Sequence, residues 1–201
     1  MLVGKGENKM RRNCGLLYMG LMFLLTVSGG LKADQVLGQW CVNSDRTVEI
    51  LGWYTEGNID VKKTFDPDAE LPGGIKGAIK IEIGKNKIDS SPSAIQLSFL
   101  YYEGVKENQK YKISFMYKIS QPGQISINVI MNKKPWAELD KNTSEKVITS
   151  QGSEWQKVEM VFTATSDYKD QIRVPYLALG KLEPGTVLWV NDVKFETISE
   201  K

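Results

Sequence analysis

The sequence predicts an all-β protein, a β-sandwich of jelly-roll type built from two antiparallel sheets. Three observations carry the prediction. Apolar and polar residues alternate with period two in one run after another, the pattern of a strand with one buried face. Pro-Gly turns separate the runs: "LPGG" at 71–74, "QPGQ" at 121–124 and "LEPGT" at 182–186. Proline sets φ at the first turn position and glycine allows positive φ at the second. Helical periodicity is scarce, and many strands with short turns fold as packed sheets.

The first 33 residues are not fold material. "MLVGKGENKMRR" supplies a basic start and "GLLYMGLMFLLTV", 15–27, an uncharged apolar stretch; small residues follow. This is the pattern of a secretory signal, with cleavage expected after Ala33 and an earlier cut or an uncleaved anchor as the alternatives. The apolar stretch is shorter than the roughly 20 residues of a membrane span. The expected domain is therefore residues 34–201, long enough for one core. The whole chain has 26 Lys and Arg against 24 Asp and Glu; the leader holds five and one of these, which leaves 21 against 23 and a net charge of −2. No basic block survives, which argues against a nucleic-acid partner. The sequence has no histidine, so His-based triads and the usual zinc sites are excluded. Cys41 is the one cysteine after the leader, so no intramolecular disulfide is expected.

Taken in order, the strands are these. "IKGAIKIEIG", 75–84, alternates Ile79, Ile81 and Ile83 with charge. "AIQLSFLYY", 94–102, puts Ile95, Leu97, Phe99 and Tyr101 on one face. "YKISFMYKIS", 111–120, puts Tyr111, Ile113, Phe115, Tyr117 and Ile119 opposite Lys112, Ser114, Met116 and Lys118. "QISINVIM", 124–131, sets Ile125, Ile127 and Val129 against Ser126 and Asn128. "WQKVEMVFTAT", 155–165, points Val158, Met160 and Phe162 inward, and Trp155 and Trp189 are expected in the core. In "QIRVPYLAL", 171–179, Pro175 implies an edge strand or a bulge. "FDPDAEL", 65–71, clusters Asp66, Asp68 and Glu70 beside prolines and reads as a solvated loop. "GTVLWVNDVKFE", 185–196, is a strand interrupted by Asn191 and Asp192, residues that strands disfavour. A bulge, a metal site or a buried hydrogen-bond anchor would each account for them.

From about Trp53 to Glu196 the order of these features resembles the carbohydrate-binding modules of families four, nine and twenty-two, a galactose-binding-like jelly roll. The resemblance rests on a Trp-containing start, the "IKIEI" strand, and "AIQLSF" with Gln96. "ENQKYKISFMYKIS" adds Tyr111, Ser114, Phe115 and Lys118. "PWAEL" follows, then the Thr149, Trp155, Gln156, Phe162 and Thr163 pattern. Arg173 with Leu179 and Gly180 comes next, and the closing strand carries Asp192. It implies a non-catalytic domain that binds a β-glucan, a xylan or a related polysaccharide on the concave face of one sheet, commonly beside a glycoside hydrolase. No hydrolase fits in the residues that remain here.

A sugar presents a C–H face to an aromatic ring and a rim of hydroxyls to amides and guanidinium groups. Trp136, in the polar loop "NKKPWAEL", is a candidate stacking platform, or else folds onto the sheet edge. Trp53 is a second candidate, or a core plug. Gln96, Asn128 and Arg173, with Lys118 behind them, would share one sheet surface if the strands pair as in those modules; the alternative is an ordinary solvated face. The resemblance also implies a structural calcium, held by Asp192 and a residue of the N-terminal segment such as Glu49. Hydrolysis or elimination by a small β-sandwich enzyme, and a structural jelly roll without a glycan site, are the competing functions. The first needs a carboxylate pair across a cleft. The expected location is secreted, periplasmic or at a cell surface, without a membrane after signal cleavage.

Overall fold

The structure, a computed structural model, describes residues 34–40, 49–51, 60–85, 91–136, 139, 145–150 and 152–199. The expected signal segment, Cys41 and Trp53 lie outside them, as does the side chain of Glu49. The described residues form eleven strands. In chain order these are β1 Gln35–Trp40, β2 Glu49–Leu51, β3 Asp60–Glu70, β4 Lys76–Lys85 and β5 Gln96–Tyr102. They continue with β6 Lys110–Ile119, β7 Gly123–Met131, β8 Glu145–Ser150, β9 Gln156–Thr163, β10 Ile172–Ala178 and β11 Val187–Ile198. All pair antiparallel in two sheets. The first sheet runs β3-β4-β11-β6-β9, with β1 along the second half of β11. The second runs β2-β5-β10-β7-β8. The predicted two-sheet β-sandwich is the observed fold.

The alternation read from sequence sorts most of the core correctly. Ile79, Ile81 and Ile83 of β4, Tyr111 to Ile119 of β6 at every second position, and Val158, Met160 and Phe162 of β9 are buried. They meet Leu97, Ile125, Ile127 and Val129 of the second sheet in one continuous cluster. Within it Tyr111 stacks on both Phe162 and Phe195, at 5.4 and 5.3 Å between ring centroids. Tyr102 meets Phe195 edge-on, so the second sheet is locked to the first through rings rather than disulfides. At one open end Lys146 of β8 reaches across to the backbone carbonyl of Glu159 in β9.

Two central strands break step, and each break has a cause. In β11 the register against β6 shifts between Asn191 and Lys194. Val190 and Val193, three apart, are therefore both fully buried. Strict alternation would have put one of them in water. Asn191 is fully buried at this bulge: its amide donates to the Gly77 carbonyl (2.7 Å) and accepts the Asp192 N–H (2.6 Å). Asp192 takes positive φ, which Asp tolerates better than β-branched residues. Here β4 leaves the edge of β11 and β1 takes over, pairing from Val193 onward. Asn191 is thus a buried hydrogen-bond anchor at a bulge.

In β10 the register against β7 shifts between Arg173 and Tyr176. Pro175 sits inside the shift, where its missing N–H is tolerated. It marks a bulge, not an edge, because β10 is paired on both sides by β5 and β7. The partner strand β5 changes phase with it. Phe99 and Leu100 both pack on the core, so Tyr101, expected inward, faces out.

Three further expectations are corrected. "FDPDAE" of this stretch, 65–70, is part of the edge strand β3, with Pro67 in a register shift between Asp66 and Glu70. Trp189 is half-buried on the outer face of the first sheet, where its indole N–H donates to Asp66 (2.7 Å). Trp155 is half-buried too and faces Lys118, whose strand neighbours Tyr117 and Ile119 take the core side.

Replacing Asn191 by Ala leaves the Gly77 carbonyl without its side-chain donor. The variant should lose about 1–3 kcal/mol of unfolding free energy, the cost of an unpaired buried polar group. Urea unfolding should show a lower midpoint with an unchanged slope.

Candidate functional site

The bulge in β10 builds the candidate site. By placing Arg173 and Tyr176 on the same outer face of the second sheet, it lets the guanidinium lie over the Tyr176 ring, 5.1 Å from its centroid. Arg173 is only 5% exposed. One of its N–H groups donates to the Gln96 carbonyl oxygen (3.2 Å), and Gln96 in turn donates to the Ser93 carbonyl (2.8 Å). Asn128 pairs with Tyr176 across β7 and β10, and Ser98 pairs with Tyr176 from the β5 side. Both are buried, and among the described residues neither the Asn128 side-chain oxygen nor the Ser98 hydroxyl has a hydrogen-bond partner. Ile130, Tyr176 and Ala178 form a small apolar cluster on this face, separate from the main core.

Trp136 stands at the rim, 49% exposed, with its ring centroid 5.4 Å from the Arg173 guanidinium. The turn after β7 holds it there. Its backbone N–H donates to the Lys133 carbonyl, and its φ of 59° is unusual for an aromatic residue. The same turn is tied to the start of β10. Asn132 donates to Gln171 from backbone and side chain (2.8 and 2.7 Å), and Lys133 pairs with Asp170. Such left-handed non-glycine positions persist where the surroundings over-determine them, and they cluster at binding sites.

Four of the five residues expected to contact sugar therefore meet on one surface: Gln96, Asn128, Trp136 and Arg173. Trp53 is outside the described residues. Lys118 does not join them, because β6 belongs to the first sheet. The sequence reading missed Tyr176, Ser98 and Tyr101. Tyr101 is 38% exposed and lies opposite Arg173 in the β5–β10 ladder. Pro175 was the available signal: a bulge there brings residues three apart to one face.

The residues expected to hold calcium are placed differently. Glu49 is in β2 of the second sheet and Asp192 in β11 of the first. Asp192 pairs with Lys194 (3.2 Å) in a shallow cleft of about 230 Å³. The other acids of that cleft are also taken. Glu196 pairs with Lys112, whose pKa it raises, and Lys157 holds Glu159 below the usual carboxylate range. Among the described residues no three His, Cys, Asp or Glu side chains are grouped to hold a metal. An ion at Asp192 would have to break its pair with Lys194.

No family model and no curated sequence matches the chain. Solved structures do. A family-four carbohydrate-binding module shares 18% identity over 75% of this chain and 86% of its own, with a TM-score of 0.56. The CBM22-1 xylan-binding domain of Xyn10C from Paenibacillus barcinonensis shares 14% over 85% and 99%, at 0.50. An arabinose-bound α-L-arabinofuranosidase matches over 81% of this chain but 27% of its own, at 10% identity and 0.53. The fold is the jelly roll of carbohydrate-binding modules. At these identities the likeness is one of fold.

The indole of Trp189 is the main cause that holds Asp66 below the usual carboxylate range, with backbone N–H groups of Asp68 and Ala69 assisting against desolvation. A depressed folded pKa contributes stability above the ordinary carboxylate pKa and loses it as pH falls through the folded value. Trp189→Phe should therefore shrink the stability difference between pH 6 and pH 3. Paired urea titrations at the two pH values measure it.

Proposed function

We propose that this protein is a non-catalytic module that binds a polysaccharide of the β-glucan or xylan type on the outer face of its second sheet. The proposal includes a secreted or cell-surface location. One observation carries it: Arg173, Gln96, Asn128, Tyr176 and Trp136 converge on one face, with buried polar atoms of Asn128 and Ser98 left to be satisfied. An exposed indole beside a buried guanidinium, amides and hydroxyls is the chemistry that a sugar ring and its hydroxyl rim require.

Affinity electrophoresis against neutral plant and microbial polysaccharides tests the reading. Retardation without release of reducing ends supports it. Release of reducing ends would make the protein an enzyme, and no retardation on any glycan would leave a structural jelly roll. Trp136 is exposed, so Trp136→Ala should fold normally and bind about tenfold more weakly, the loss of roughly 1.4 kcal/mol expected for a stacked ring.

A structural calcium on Glu49 and Asp192 is proposed with the module resemblance as its support. It would have to displace Lys194 from Asp192. A chelator that lowers the melting temperature supports the ion; an unchanged temperature removes it.

A further inference from the structure

The outer face of the first sheet carries an arrangement that the proposed glycan face does not use. The ladders align Thr64 with Lys80, Lys80 with Trp189, and Trp189 with Lys118. Tyr117 pairs with Gln156, which sets Trp155 beside Lys118. The strand neighbours Ile79, Ile81, Leu188, Val190, Tyr117 and Ile119 are buried in the core. The row of Lys80, Trp189, Lys118 and Trp155 therefore points away from it. Lys118 stands between two indoles, its ammonium 4.5 Å from the Trp189 ring centroid and 5.7 Å from that of Trp155. All three side chains are half-buried.

Two features distinguish this row from an ordinary charged face. Lys62, Lys80, Lys112, Lys157 and Lys194 of the same sheet each lie within 4 Å of a carboxylate. Lys118, like Lys76 and Lys85 at the ends of β4, makes no such pair among the described residues; unlike them it lies between two rings. An ammonium offers three donors, and an aromatic face satisfies none of them with an oxygen. Of the two rings, the Trp189 indole is also fixed by its N–H, which donates to Asp66 (2.7 Å).

We infer that this row is a second binding site, for an acidic saccharide, with Lys118 pairing a sugar carboxylate while Trp155 and Trp189 pack against the ring faces on either side. The chain segments that carry the indoles are two strand spacings apart, about 9.6 Å. That distance is roughly the length of two pyranose rings in an extended chain. A neutral glycan would use the indoles but leave the ammonium without its counter-charge. An acidic chain satisfies both. The site is independent of the proposed glycan face, since it lies on the other sheet.

The test uses the whole protein, with a uronic-acid hexasaccharide and a neutral cello-hexasaccharide as probes. Indole N–H resonances and calorimetry are the readouts. The expected result is that the acidic probe shifts the Trp155 and Trp189 indole signals, and that raised salt weakens its binding. K118M should bind the acidic probe at least fivefold more weakly, while K118R retains most of the affinity. W136A should leave acidic binding unchanged. Acidic binding that is equal in K118M and wild type overturns the site, as does an acidic probe that shifts only the Trp136 signal. In either case the Lys118 row is a latch within the fold. Neutral binding that survives W136A counts against the first face alone, because the Trp155 and Trp189 signals report the second.

Discussion

The site on this jelly roll depends on a loss of phase in its most enclosed strand. β10 lies between β5 and β7, and every residue in it is buried. A strand paired on both sides normally has no freedom to present neighbours three apart on one face. The shift at Val174–Pro175 supplies that freedom, since Pro175 has no N–H to place in a ladder. The result is a guanidinium laid over a phenol ring in a central strand, with amide and hydroxyl groups from both flanking strands around it. An isolated buried Arg is costly to desolvate, and ring faces and an amide oxygen lower that cost. Ligand hydroxyls then have both a cation and unpaired polar atoms to meet.

The first sheet uses the same device for a different end. Its bulge, at Asn191–Asp192, makes no ligand surface that the geometry requires. It keeps Val190 and Val193, and after them Phe195, on the core side while the edge partner changes from β4 to β1. Phe195 then completes the ring stack with Tyr111, Phe162 and Tyr102. A buried amide that satisfies both its donor and its acceptor is a stable way to hold such a break, because slipping by one residue would strand polar groups in the core. The two central strands therefore divide the work. One bulge secures the core and the other opens a binding face.

Most of the fold was legible in the sequence because period two is a direct consequence of burying one face. The strands β4, β6, β7 and β9 alternate without interruption, and their core residues are those the pattern names. The reading failed where phase changes. Tyr101 was assigned to the core by extending the Leu97–Phe99 alternation through a break that originates in the neighbouring strand. No pattern within β5 itself encodes that break. Gln96, Asn128 and Arg173 were found because polar residues in the middle of a strand are locally unfavourable and so carry information. Tyr176 was missed because a tyrosine next to apolar residues looks like core until the bulge turns it outward.

Lys118 shows a limit of another kind. Alternation divides a strand into an inner and an outer side, but a two-sheet sandwich has two outer sides. Nothing in "YKISFMYKIS" says which one Lys118 faces; that depends on which sheet β6 joins, a matter of long-range pairing. The same ambiguity covers the tryptophans. Trp136 is read correctly as rim because a polar turn surrounds it, whereas Trp189 sits in an apolar stretch and Trp155 opens a strand with an inward pattern, so both look inward. Their half-buried positions follow from what lies across the ladder, a lysine on one side and, for Trp189, the Asp66 carboxylate beyond β4. An indole at an outer strand position is stable when a cation covers one face and a carboxylate takes its N–H. In sequence these partners are 37 to 123 residues away, beyond the reach of any local pattern. The composition of each outer face is thus decided by sheet order, and only there do two chemically distinct surfaces emerge from strands that look alike one at a time.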